Sequence, residues 1–162
     1  MVTALKLRAE DSVDLAVLAS YLQDAVVQVR DIAWQPQHHR FAIMLNRYVW
    51  EQDNVTDTDA NQDLSMNTCQ RIRTGLHFNG ILKVSSHDLP RHDKSHILEL
   101  LTISGEKAEN DQYTVTLIFA GGGAIRLHAE CIEALMSDIG DPWPAKCLPH
   151  HKILDEIPAK DV

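Results

Sequence analysis

Residues 113–140 read YTVTLIFAGGGAIRLHAECIEALMSDIG, and the spacing of their apolar side chains changes partway along. That change constrains the fold more than any other feature of the chain. Residues 114–119 alternate apolar and polar side chains, as a half-buried strand does, and residues 124–127 resume the alternation after Gly121, Gly122 and Gly123. Cys131, Ile132, Leu135, Met136 and Ile139 then fall at helical spacing, which predicts an amphipathic helix of about three turns. Gly140 stands where a left-handed C-cap belongs, with Pro142 just beyond. The glycines themselves are a hairpin turn rather than a phosphate loop. A phosphate cradle needs its glycines between a strand and a helix start, and no Gly-Lys-Ser/Thr follows.

Upstream, Leu5 and Leu7 flank Lys6 in a short first strand. Leu15, Leu18 and Leu22 then mark one face of a helix over residues 13–24, capped by Asp11 or Ser12. Val26, Val27, Val29 and Ile32 are β-branched and predict a strand over 25–34. A turn at 35–40 joins it to a strand over 41–50 with Phe41, Ile43 and Leu45 on one face. Residues 69–86 are strand around Asn79-Gly80, the dipeptide of a type I′ hairpin, with a bulge in one long bent strand as the alternative. Residues 96–104 add another strand.

The order predicts an α+β fold: a strongly bent antiparallel sheet of roughly five to seven strands, or a partly open barrel, with an N-terminal helix and a C-terminal capping helix. Such an arrangement resembles the pleckstrin-homology-like architecture. Residues 1–140 form one domain, and residues 141–162, with four of the six prolines, form a tail anchored by Trp143.

Composition removes several functions. No apolar run approaches the ~18 residues that span a bilayer, and the N-terminus lacks the pattern of a secretory signal. A net charge of −8 opposes nucleic acid and anionic membranes alike. Three scattered cysteines suit free thiols in a reducing, cytoplasmic setting, which makes Asn54-Val55-Thr56 an accidental glycosylation match. Residues 51–67 hold Glu51, Asp53, Asp57, Asp59 and Asp63 without a basic residue. They read as a mobile, solvated loop, or as a segment that steers a basic partner.

Chemistry-bearing residues are sparse, and no cofactor is implied. His87, His92 and His96 are the candidate metal ligands, because an i, i+4 histidine pair on a helix can share a zinc ion. Pro90 opposes a helix there, the glutamate of His-Glu-x-x-His is missing, and Cys147, His150 and His151 are the remaining ligands on offer. Cys69, near Arg71 and Arg73, is the candidate nucleophile, though nothing in the sequence supplies its base. Cys131 falls on the predicted helical stripe and reads as a small core residue. Trp34, Tyr48 and Trp50 lie near the ends of the first hairpin, either as an aromatic patch for a partner or as core packing.

On the stretches LQDAVVQVRDIAWQPQHHRFAIMLNRYVWE and LIFAGGGAIRLHAECIEALMSDIG the chain resembles a family of small, functionally uncharacterised cytoplasmic proteins from alphaproteobacteria. The resemblance implies a stand-alone domain of unknown function and carries over no catalytic residue. The residues therefore point first to a non-enzymatic binding or adaptor domain for a protein or peptide partner, or for a second copy of the chain. A metal- or thiol-dependent enzyme using residues 87–96 or Cys69 is the alternative, and small-ligand carriage inside a curved sheet is the third.

Overall fold

The computed structural model of the chain describes residues 4–51 and 68–146. Most of the acidic loop (52–67), together with Cys147, His150 and His151, lies outside the described residues. The strands are β1 (Lys6–Ala9), β2 (Val26–Gln28), β3 (Ile32–Gln35), β4 (Arg40–Tyr48), β5 (Thr68–Phe78), β6 (Ile81–His87), β7 (Ile97–Lys107), β8 (Tyr113–Phe119), β9 (Ala124–Ala129) and β10 (Ala134–Lys146). The single α-helix among the described residues is α1 (Ser12–Leu22). Every pairing is antiparallel, and the strands join one sheet in the order β1-β10-β5-β4-β2-β7-β8-β9-β6, with β3 also on β4.

Helix α1 starts where its cap predicts. Asp11 Oδ1 accepts from the Asp14 N–H at 2.7 Å, and Asp14 Oδ2 accepts in return from the Glu10 N–H at 3.1 Å. Its buried face, Leu15, Leu18 and Leu22, packs on β7, β1 and β4 and joins Phe41, Phe78, Leu100, Leu117, Phe119 and Leu127 in one core. Each such side chain contributes about 1.5–3 kcal/mol by leaving water.

Three expectations are corrected. The most consequential concerns the closing helix: residues 134–146 are strand β10, paired with β5 along most of its length and with β1 near its start. The fold is accordingly mostly β rather than α+β, and its sheet ends at β1 and β6 instead of closing into a barrel. With residues 134–146 a strand and not a helix that stoppers the sheet, the pleckstrin-homology-like reading goes too. The physical reason is visible in the burial of β10. Ala134, Met136 and Asp138 point into the core, whereas Leu135 is half-buried and Ile139 is 49% exposed. A charge at a core position and hydrophobes at solvent positions disguise a period of two as a period of 3.6.

Next, Asn79-Gly80 is a corner and not a hairpin. β5 already has β10 on one side and β4 on the other, so β6 has no free edge of β5 to pair with and turns away to β9 instead. Gly80 takes φ +71°, which an L side chain resists. Finally, residues 25–34 are two strands separated by a 3₁₀ turn at Val29–Asp31. β3 pairs with the start of β4 (Trp34 opposite Phe41) and β2 with its far part (Val26 opposite Asn46), so one edge of β4 serves two partners.

The glycine-turn reading stands. Gly121 and Gly122 take φ +90° and +96° in the β8–β9 hairpin, which the Phe119 N–H closes by donating to the Gly123 carbonyl at 2.8 Å. β10 continues through Pro142 and Pro144 to Lys146. Pro142 falls within a register shift between Ile139 and Trp143 and Pro144 follows it; both lie past the end of β1, where β10 pairs with β5 alone and a missing N–H is tolerated.

Candidate functional site: two faces of one four-stranded segment

Strands β1, β10, β5 and β4 lie side by side, and each of their two faces carries an exception to the usual pattern of a sheet. The core face holds a charge. Arg47 is fully buried, and its Nε and Nη2 donate to Asp138 Oδ1 and Oδ2 at 2.8 and 2.7 Å. Nη1 and Nη2 also donate to Glu51 Oε1 and Oε2 at 3.0 and 3.1 Å, and Nη1 to the Tyr48 carbonyl at 3.0 Å. All five guanidinium N–H groups are thereby used, against two bidentate carboxylates. Asp138 accepts further from the Thr74 hydroxyl at 2.9 Å and the Leu5 N–H at 3.0 Å.

Burial alone pushes the Asp138 carboxyl up. The hydrogen bonds from Arg47, the Leu5 N–H and Thr74, with the Arg47 charge, more than offset that and hold it below the usual carboxylate range. Burial likewise pulls on the Arg47 guanidinium, but the hydrogen bonds and charges of Asp138 and Glu51 hold it above its ordinary value. Such a cluster has a permanently charged cation, ionised acceptors and no idle proton. It ties together β4, β5, β10 and the residue before β1, and it performs no acid–base work.

The solvent face of the same strands carries an apolar strip. Side chains one residue out of step with the core face (Ala42 and Met44 on β4, His77 on β5, Leu135, Ser137 and Ile139 on β10, Lys6 and Arg8 on β1) line an open trough of about 550 Å³. Gly75 is its floor: Met44 Sδ and Ile139 Cδ1 lean to within 3.4 and 3.6 Å of where a Cβ on Gly75 would stand. His77 is half-buried in the wall. Burial, with the nearby Arg40 charge, holds its imidazole below the ordinary value against the opposite pull of Glu133, so the ring is neutral at pH 7.

The residues singled out from the sequence lie elsewhere. His87 ends β6, and His92 and His96 lie in the loop that follows; all three are exposed, with His96 Nδ1 4.0 Å from Asp93 Oδ2. Among the described residues no group of three His, Cys, Asp or Glu side chains is placed to hold a metal ion. Cys69 is disulfide-bonded, which corrects the expectation of three free thiols and removes its nucleophile. Cys131 is free but exposed in the turn before β10, not a core residue of a helix.

Tyr48 and Trp50 come together, ring centroids 5.1 Å apart, with the Arg71 guanidinium 3.8 Å above the Tyr48 ring. The Tyr48 hydroxyl donates to the Lys146 carbonyl at 2.9 Å, and Trp50 Nε1 to the Gln23 carbonyl at 3.3 Å. Trp34 stands at the opposite end of β4, beside Phe41 and half-buried against the core. Sequence reasoning missed both faces of the β10 segment. The available signal was Asp138 itself, an acid two residues from Met136 in a stretch otherwise apolar at alternate positions.

No helix among the described residues is long and apolar enough to cross a membrane. No curated protein and no solved structure matches the chain. A family model does, over residues 5–151, which takes in every described strand, the helix, the buried ion pair and the trough. The chain therefore belongs to the family described as "Protein of unknown function (DUF2948)".

Proposed function

We propose that this domain is a non-enzymatic binding module for a protein or peptide partner, and that the trough across β4, β5, β10 and β1 is where the partner docks. One observation carries the reading. Met44, Leu135 and Ile139 sit together on the solvent face of the sheet around a glycine floor, with Lys6, Arg8 and His77 at its border. Apolar side chains gathered on a rigid sheet, with a charged edge, are what protein docking sites use as an anchor.

The test compares surfaces and does not rest on capture alone. The protein carrying a photo-crosslinker at Ser137 is used in extracts beside Leu135→Glu, Ile139→Glu and, as a control on another face, Val17→Glu. The expected result is one set of cross-linked partners lost in both trough variants and kept in the control. Partners unaffected by the trough variants, or turnover of a simple ester, phosphate or peptide substrate by the wild-type protein, would refute the reading.

A further inference from the structure

The charge around the trough says what kind of segment it takes. The chain carries a net charge of −8, yet the charged side chains lining the trough are Lys6 and Arg8, with the neutral His77 beside them and no carboxylate. Arg8 is held by Glu10 at 3.0 Å and Glu133 at 3.2 Å, whereas Lys6 is exposed and has no hydrogen bond or ion pair among the described residues. Both cations project from the solvent side of β1, the terminal strand of the sheet, so they border the apolar floor on one side only. Two residues apart on a strand, they stand about 7 Å from one another, which is also the spacing of alternate side chains in any extended chain.

Resting on the docking face just proposed, we infer that the occupant is an extended peptide segment of a partner protein that alternates acidic and apolar residues. Its apolar row lies over Gly75 between Met44, Leu135 and Ile139, and its carboxylates face Lys6 and Arg8. The shape favours a peptide over a small amphiphile. The trough is open to solvent along its length, and a small ligand there would leave more of its surface wet than binding pockets allow, whereas a protein partner covers the open side with its own body. Charge complementarity disfavours a basic segment, since both charged lining side chains are cations and the neighbouring Glu10 and Glu133 are already paired with Arg8.

The experiment uses fluorescence polarisation of a labelled peptide alternating Glu and Leu, beside the same peptide with Lys for Glu, against the full chain. The Glu peptide is expected to bind, with an affinity that falls on going from about 50 to about 300 mM salt. Lys6→Glu/Arg8→Glu, which leaves the apolar floor intact, should weaken it by about tenfold. Gly75→Val, which fills the floor and leaves the charges, should abolish it, with circular dichroism confirming that both variants fold. Equal binding of the Lys peptide, or binding indifferent to both variants, would overturn the inference. So would laurate binding or self-association that depends on the floor in place of peptide binding. The two readings fail separately: trough-dependent cross-linking to partners without acidic segments leaves the docking face standing and removes only the acidic occupant.

Discussion

Adjacent residues on β10 have opposite fates that neither one's chemistry would suggest. Asp138 is sealed in the core, and Ile139 is half in water. The same inversion runs across the neighbouring strands, with Thr74 and Arg47 inside and Met44 outside. The difference is one of satisfaction. The interior charge has every donor and acceptor filled, so it is finished as a piece of chemistry and serves to clamp four chain segments. The outer hydrophobes Met44, Leu135 and Ile139 stay half-buried or exposed around Gly75. The satisfied polar group inside is thus a structural clamp, and the docking proposed above rests on the apolar groups outside.

Experiments can separate the two faces, beginning with the largest effect. Arg47→Met leaves the Asp138 and Glu51 carboxylates without their cation and should cost about 3–5 kcal/mol in urea denaturation. Adding Asp138→Leu to it should restore part of that loss, because an apolar pair of similar volume needs no solvation; no recovery would mean that the charges specify the packing.

The acid limb comes next. Asp138 has its folded value held below the unfolded one, so the stability it confers is present above the ordinary carboxylate range and disappears as pH falls through the folded value. Asp138→Asn should lower stability at neutral pH and flatten the acid limb of a pH–melting curve. An unchanged limb would contradict the clamp.

His77 gives a smaller effect of the same sign. Its imidazole is depressed in the folded state, so between its folded value and about 6.5 the unfolded chain binds more protons and stability falls as the pH drops through that window. His77→Gln should remove this slope, as melting temperatures across pH 5–8 would show. Smallest of all, Ile139→Ser on the open face should change stability by no more than about 0.5 kcal/mol while removing partner cross-links. A large loss of stability there would mean that the outer face is structural, and the contrast between the faces would break down.

Much of the frame was legible in the chain. The Asp11 cap, the leucine face of α1, the triple-glycine hairpin and the turn between β3 and β4 are local devices, each needing only residues close in sequence. The failures share one cause. Asn79-Gly80 suits a hairpin, but whether β6 folds back depends on β10 and β4 already flanking β5. Cys131 to Ile139 suits a helix as long as Asp138 is assumed to point to water. The trough is invisible for a related reason, since its walls come from four strands spread over residues 6–139 and its floor is an ordinary glycine.

By itself, then, the sequence determined where α1 begins, which of its faces is apolar and where the glycine turn falls. Only the tertiary structure decided which side of β10 faces in. An aspartate can enter a core when an arginine ninety-one positions away along the chain meets it with two hydrogen bonds, and that meeting turns Leu135 and Ile139 outward on the same strand. Local propensity cannot register so distant a partner, because the energy that sets the strand's orientation exists only after the sheet has assembled.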